Sequence, residues 1–435
     1  MKLLFYFDKI KKSEFLNASF YSAISSVIKI LTSLLIGKII VHYADAEGIV
    51  LYGQLLNFVV IISVFCGGAI SQGLIKYVAE YNAVEKEKIP ALLATSFKFT
   101  LSVSLFIGLI LVLFSKYISQ QILFAEKYSS IFVVFGLTLV FYALNTYFLS
   151  VLNGYKQFKK FNLINIILNI ISLLLSLILS YYFNVYGILL SVIVSQSFLF
   201  FITIYLLKNE NWFQLQNFKN PINLSILKLL LRFALVAILS TALAPISALI
   251  VRDHLIVKTS VDDAGMYELA FRIANAVIMF FTLTISTYYI PRISEINTKS
   301  ELLKEVKKTY ILVMPIIIVL LIGVYFTKEL IILILAKANF LRAASLFGFV
   351  LFGVFLKVIT QIVGFVFLAK AKIKTVIALE VALNIFITLL SIYFINIYGL
   401  LGSVYAYCIT NLIFLVIVLA LFFLTFVSNK KSINV

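Results

Sequence analysis

Tyr182-Phe183-Asn184-Val185-Tyr186-Gly187 and, in the second half of the chain, Phe394-Ile395-Asn396-Ile397-Tyr398-Gly399 repeat one phrase inside two apolar hairpins. A second echo accompanies the first. Glu80-Tyr81-Asn82 follows the second apolar span of one half, and Glu295-Ile296-Asn297 follows the second span of the other, at nearly the same separation. Together they read as an internal duplication. A period of roughly half the chain excludes solenoid repeats and points to two stacked bundles. Duplicated membrane halves place a pathway at their interface, so the echo bears on function as well as fold.

Working outward, 63% of the 435 residues are hydrophobic and 12% are charged, with a mean hydropathy of +1.10. A soluble domain carries about 25% charged residues, so this composition belongs to an integral membrane protein. Apolar runs of about 20 residues, the length that crosses a bilayer core, recur along the whole chain. Twelve are expected, at 20–41, 51–73, 94–115, 130–152, 162–183 and 187–207, then 229–251, 265–290, 309–327, 344–368, 375–395 and 400–424. The expected fold is therefore an all-α membrane protein with twelve transmembrane helices in two six-helix bundles. Residues 1–207 form the first bundle, 208–228 a cytoplasmic linker and 229–435 the second. The other long polar link is 291–308. An even number of spans per half makes both halves enter from the same side, which is a parallel repeat.

Basic residues set the orientation. Most of the 36 lysines and arginines fall on one side, in groups such as Lys9, Lys11 and Lys12; Lys156, Lys159 and Lys160; Lys304, Lys307 and Lys308; Lys370, Lys372 and Lys374; and Lys430 and Lys431. The positive-inside rule then puts both termini on the cytoplasmic side of the membrane. The formal net charge of +18 follows from this topology, and no nucleic-acid partner is expected. The apolar run at 3–7 is too short for a secretory signal, so the first helix is expected to act as an uncleaved insertion signal. Cys66 and Cys408 lie far apart in or near spans and imply no disulfide framework.

Catalytic patterns are missing. His42 and His254, the only histidines, stand near helix ends without a Glu-x-x-His arrangement, so no metal site is expected. Gly37-Lys38 precedes Ile39 inside a span and makes no phosphate loop. No cofactor and no enzymatic activity are expected. A polysaccharide polymerase or ligase would need a large outer loop, and the loops here are short.

Polar groups inside the spans are informative, because a mid-membrane lysine or arginine costs about 2.5–3.5 kcal/mol unless it faces protein or water. Lys29, Lys38, Lys98, Arg232, Arg272 and Lys357 lie in spans, and only Glu268 and Glu380 answer them there. Lys38, Lys98 and Arg232 are near enough to span ends to snorkel to an interface. Lys29 and Lys38 point to opposite sides of an ideal helix, and Lys29 is the deeper. Glu268 and Arg272 are four residues apart, a spacing suited to an ion pair that serves as a lock or a gate. Lys357, one turn before Gln361, faces a possible pairing with Glu380, one turn before Asn384. Arg252 ends the seventh span. A net-positive cavity would suit a phosphate-bearing substrate. The candidate substrate-binding residues are thus Lys29, Arg272, Lys38, Arg252 and Arg232, with Glu268, Glu380 and Lys357 as candidates for coupling or gating. Pro245 and Pro315 are expected to mark helix breaks.

Gly67-Gly68 followed by Gly73-Leu74-Ile75-Lys76-Tyr77-Val78-Ala79-Glu80-Tyr81 resembles the end of the second span in Wzx flippases, which move lipid-linked oligosaccharides. Gly68, Gly73, Lys76 and Tyr77 carry that motif. Asn153-Gly154, Ile250-Val251-Arg252, Ala264-Gly265-Met266-Tyr267 and Tyr289-Ile290-Pro291-Arg292-Ile293-Ser294 agree in order, so the resemblance covers essentially the whole chain. It is nearest to O-antigen and enterobacterial common antigen translocases. The resemblance implies the multidrug/oligosaccharidyl-lipid/polysaccharide exporter fold, with helices one, two, seven and eight lining a cleft. It further implies an undecaprenyl-diphosphate-linked glycan as substrate and outward flipping by alternating access. Membrane lipids, a polysaccharide polymerase and a chain-length regulator are the partners it suggests. An ion-coupled multidrug exporter and a lipid II flippase are the alternatives.

Overall fold

The structure, a computed structural model, describes residues 14–428 apart from Asn297. The apolar run at 3–7, the basic groups Lys9, Lys11 and Lys12 and Lys430 and Lys431, and Asn297 of the second echo lie outside the described residues. Fourteen α-helices follow one another among the described residues. They are α1 Glu14–Ser63, α2 Ala69–Val84, α3 Ile89–Leu113, α4 Ser115–Leu123, α5 Ser129–Gly154, α6 Phe158–Leu207 and α7 Gln216–Lys219, then α8 Leu224–Thr241, α9 Leu243–Lys258, α10 Val261–Glu295, α11 Lys299–Leu335, α12 Phe347–Ala369, α13 Ile373–Tyr398 and α14 Leu400–Phe422.

Ten segments among the described residues are long and apolar enough to cross a bilayer. Two of them, Tyr21–Val84 with 64 residues and Phe158–Leu207 with 50 residues, are too long for one crossing. Straight helices of those lengths would reach about 96 and 75 Å, against a hydrocarbon core of about 30 Å. Each is broken by a residue with positive φ: Asp45 in α1 (φ 49°, ψ −147°) and Asn184 in α6 (φ 50°, ψ −129°). Gly399 adopts nearly the same conformation between α13 and α14 (φ 57°, ψ −133°). Only glycine enters this region without strain.

Apart from the turn at Asp45, whose equivalent Ser260 is extended (φ −159°), the turns that join neighbouring spans at Asn184 and Lys156 recur in the second half with one fixed offset. That offset carries Asn184 onto Gly399 and Gly187 onto Gly402, and in each hairpin this second glycine faces the preceding helix. A Cβ on Gly187 would lie 1.9 Å from the Leu179 carbonyl oxygen, and one on Gly402 would lie 2.1 Å from that of Phe394. Lys156 (φ 59°) and Ala371 (φ 52°) obey the same spacing. The match of aromatic residues between the hairpins is therefore three positions out of structural register at the turn, whereas the Glu80 and Glu295 echo is in register.

Elsewhere the structure departs from expectation for local reasons. The polar stretch 291–308, expected as a link, is mostly helical, since α10 continues to Glu295 and α11 begins at Lys299. Thr298 caps α11 by accepting a hydrogen bond from the Glu301 amide, the T-x-x-E arrangement that starts helices. α11 also runs through Pro315 without interruption. At the other proline a break does occur, since α8 stops at Thr241 and α9 resumes at Leu243, two residues before Pro245.

The chain divides into two compact units, one of residues 1–43 with 51–246 and one of residues 44–50 with 247–435. In the first, Leu74, Val78, Leu92, Phe148, Val151 and Leu199 build one core. Small residues let its helices approach: a Cβ on Gly108 would lie 2.5 Å from the Gly136 carbonyl oxygen, and one on Gly136 equally close to that of Gly108. Such close crossings are how helices pack where lipid removes the hydrophobic drive. The 208–228 segment packs on the same unit. Trp212 is buried in its core, Asn223 caps α8 through the Ser225 and Ile226 amides, and Lys98 donates to the carbonyls of Lys219 and Asn220.

In the second unit, Val50, Val251, Leu255, Ala264 and Ile395 form a buried cluster around the 44–50 turn. Gly265 permits that turn to approach, with a would-be Cβ 2.8 Å from Ala46. Lys337 pairs with Asp45 at 2.6 Å. Phe347, Val350, Val354 and Val358 line the buried face of α12.

Candidate functional site

Three polar arrangements are built into the spans, one in the first unit and two in the second. In the first unit the Lys76 ammonium lies 5.0 Å from the Tyr77 ring centroid and 5.6 Å from that of Phe233. Lys76 is exposed on α2, and its charge is held over two aromatic faces. Gly73 makes the arrangement possible, because a Cβ there would come within 3.1 Å of Phe233 and 3.2 Å of Leu230 on α8. Gly68 ends a π-helical turn, Val64–Gly68, where a Cβ would lie 2.8 Å from the Ser63 carbonyl oxygen. The glycines of the motif thus act as packing devices for its lysine and tyrosine. Lys29 and Lys38 are exposed on α1, and Arg232 is exposed on α8.

In the second unit Arg252 and Glu268 form an ion pair at 2.5 Å between α9 and α10. Arg252 is 3% exposed and Glu268 16%. Spacing along one helix favours Arg272 as the partner of Glu268. The neighbouring helix instead supplies Arg252 to the carboxylate, while Arg272 is half-buried on α10. A pair held this far from water is a rigid clasp between α9 and α10. Tyr267 and Tyr407 pack on Phe271 beside it, at 4.4 and 4.9 Å. The two histidines stand on helices: His42 meets the Tyr43 ring edge-on, and His254 Nε2 is 3.0 Å from Asn396 Oδ1.

The third arrangement is a cavity of about 220 Å³ bordered by α12, α13 and α14. Lys357, Gln361, Glu380 and Asn411 give it polar groups, and Phe365, Leu383 and Phe414 contribute to its apolar wall. Lys357 is half-buried and Glu380 exposed. The structure brings the two to one cavity, as their positions suggest, yet among the described residues neither side chain forms an ion pair. Gln361 accepts a hydrogen bond from Thr282 on α10 at 3.2 Å. Thr360, Gly364 and Asn411 complete this site without any signal in the sequence. Asn411 sits on a different helix, and Gly364 contributes by having no side chain, so neither announces itself in a linear pattern.

Outside the spans, Glu210 accepts from Gln157 at 2.6 Å and pairs with Lys160. Burial works to raise its pKa, but the hydrogen bonds from Lys160 and Gln157, with the Lys160 charge, hold the carboxyl below its ordinary range. Burial pushes the nearby Tyr155 hydroxyl up to about 12. Lys370 is buried and donates to the Ile296 carbonyl, and that burial lowers its pKa.

Comparison with known proteins extends this picture. A family model described as "Polysaccharide biosynthesis protein" matches residues 51–345. The Lipid III flippase of Escherichia coli (strain K12) is 24% identical over 398 residues, which is 91% of this chain and 95% of that protein. An inward-facing multidrug resistance MATE family transporter of the MOP superfamily has a TM-score of 0.72 at 16% identity, covering 92% of this chain and 98% of its own. The lipid II flippase MurJ, inward closed, has a TM-score of 0.71 at 16% identity over 94% and 90%. The fold is thus the one shared by these transporters.

Proposed function

The chain belongs to the polysaccharide biosynthesis protein family, and we propose that it flips an undecaprenyl-diphosphate-linked oligosaccharide from the cytoplasmic to the periplasmic leaflet. The observation that carries this reading is the end-to-end likeness to a protein named as a Lipid III flippase. That relative is a transporter, which speaks against the polymerase or ligase alternative.

The physics of the cargo demands such a protein. Each sugar hydroxyl forced unpaired into hydrocarbon costs roughly 4–8 kcal/mol on a cyclohexane scale, so unassisted flipping is negligible. A polar passage removes most of that cost while the prenyl tail stays in lipid. An inside-negative potential assists, giving about 2.3 kcal/mol per charge per 100 mV moved outward.

The proposal takes each of the two broken segments as two crossings, giving twelve helices in two six-helix bundles of residues 1–207 and 229–435, joined through 208–228. The common register of the turns supports a parallel repeat, and the lysine clusters support an inner-membrane protein with both termini in the cytoplasm. In this reading Lys29, Lys38, Arg232 and Arg272 serve the anionic cargo and Glu380 and Lys357 act in coupling or gating, while Arg252 and Glu268, which hold each other between α9 and α10, join the cargo path and the gate only when that clasp opens. The glycan would then pass to a polysaccharide polymerase and its chain-length regulator.

The test is the amount and sidedness of diphosphate-linked oligosaccharide in a strain lacking this protein, with and without its restoration. Accumulation at the cytoplasmic face, relieved by restoration, is the expected result. Unchanged lipid-linked sugar with altered drug tolerance would favour a multidrug exporter. Arrested cell-wall synthesis with accumulated lipid II would favour a lipid II flippase.

A further inference from the structure

Of the two carboxylates within the expected spans, one is committed and one is not. Glu268 is held by Arg252 at 2.5 Å. Glu380 lines the cavity between α12, α13 and α14, and among the described residues its side chain forms neither an ion pair nor a hydrogen bond. We propose that Glu380 is a proton-binding site, with Lys357 as its tethered counter-charge, and that proton movement through it is coupled to the transport proposed above. The coupling rests on that flippase reading; the proton site itself does not.

The geometry decides what can bind. Lys357 is the eleventh of 23 residues in α12 and Asn411 the twelfth of 23 in α14, so the polar floor lies near the middle of both helices. The lining then runs to Leu368, one residue before the end of α12, through apolar side chains. That polarity is inverted for an anionic lipid, whose head would have to sit at mid-membrane and whose tail would point outward. It is equally unsuited to a sugar, which would leave its hydroxyls against Phe365 and Leu383.

Water fits. The volume of about 220 Å³ accommodates several molecules, each with a share of roughly 30 Å³, and Thr360, Gln361 and Asn411 provide the polar partners that ordered water needs. Gly364 helps to keep the space open, since a Cβ there would meet nothing within 4 Å.

Charge then separates a proton from a metal cation. Among the described residues, Lys357 and Glu380 are the only titratable groups lining the cavity. On α9, Ser247 bonds Asn384 and Thr388 and brings no charge there, while the titratable His254 meets α13 at Asn396, sixteen residues beyond Glu380. Helix α10 contributes the neutral Thr282, and Tyr310 of α11 donates to the Ile359 carbonyl on α12. An arriving sodium ion would meet the ammonium of Lys357 in the same cavity and would find one carboxylate and neutral amides as ligands. A proton needs only the carboxylate. It leaves a hydronium in the water chain as one O–H bond breaks, forms an O–H bond on Glu380, and changes the pair from net zero to +1. Release to water reverses the step. Movement of α13 against α12 changes the separation of the two charges and so biases uptake or release, which is what a coupling site requires.

The experiment uses the purified full chain in two formats. In difference infrared spectra recorded across a pH step, wild type should show a carboxylic-acid carbonyl band that is lost in Glu380→Gln and kept in Glu380→Asp. A band unchanged in Glu380→Gln would overturn the site. In vesicles holding a lumenal pH dye and lipid-linked oligosaccharide, a pH gradient should accelerate wild-type translocation, and Glu380→Gln and Gly364→Leu should lose that response. Acceleration by a sodium gradient in wild type, or a retained pH response in Glu380→Gln, would overturn the coupling. Wild type that shows the infrared band but no translocation under any gradient would sink the flippase reading and leave the proton site standing. Thermal unfolding of each variant separates these losses from misfolding.

Discussion

Lys156 and Ala371, equivalent positions in the two halves, hold the same left-handed backbone conformation at φ 59° and 52°, and the two hydrogen bonds that close the helix end match between them. The Lys156 and Gln157 amides donate to Asn153 and Leu152 at 2.9 Å, and the Ala371 and Lys372 amides donate to Leu368 and Phe367 at 3.0 and 2.9 Å. This is the two-bond ending of a helix whose left-handed position ordinarily holds glycine. A side chain there costs roughly 1–2 kcal/mol. Ala371→Gly is therefore expected to raise the thermal stability of the purified protein by about 1 kcal/mol, and Lys156→Gly to do the same with one positive charge fewer. A fall in melting temperature for both would contradict the assignment of these turns.

The buried Arg252 and Glu268 pair gives a second expectation. Removing one partner strands a charge, which costs about 3–5 kcal/mol, whereas replacing both by apolar residues of similar volume is often neutral. Arg252→Met and Glu268→Leu should each lower protein abundance and melting temperature, and the double variant should recover most of the loss. Equal losses in the single and double variants would mean that the pair does more than clasp α9 to α10.

Composition and span lengths make the membrane class and most helices legible, but the finer register is not. The echoed phrase aligns Asn184 with Asn396, whereas the turn conformation aligns Asn184 with Gly399, because asparagine and glycine share tolerance of positive φ. The aromatic residues that make the echo conspicuous do not set the turn. Spacing along one helix likewise offers Arg272 to Glu268, and a residue from the neighbouring helix takes its place. Lys357, Gln361 and Glu380 can be read as polar outliers. The room beside Gly364 cannot, because an empty volume is a property of three helices together.

Charge on the proposed cargo gives a third expectation. If Lys29 and Arg272 engage a diphosphate, Lys29→Glu and Arg272→Glu should abolish glycan export at normal protein abundance, while Arg272→Lys keeps part of the activity. Lysine preserves the charge but loses the two-pronged hydrogen bonding of the guanidinium. Normal export in both reversed variants would remove these residues from the substrate path.

Trp212, the single tryptophan, gives the last expectation because it reports on the 208–228 segment. It is buried and stacks on Tyr155 at 5.6 Å, two residues from Glu210, whose carboxylate is bound by Lys160 and Gln157. Since the folded-state pKa of Glu210 lies below its ordinary value, its contribution to docking is complete above the unfolded value of about 4.3. That contribution is lost as pH falls through the lower, folded value. Trp212 emission should therefore stay blue-shifted from neutral pH down to the carboxylate range and move to the red only below it. Glu210→Gln should shift the emission at neutral pH less than Trp212 exposure in denaturant does, and should flatten the acid response. Lys160→Met should leave the carboxylate with one partner fewer and move the acid transition to higher pH. An emission maximum indifferent to pH and to both substitutions would show that the aromatic packing alone holds the segment on its unit.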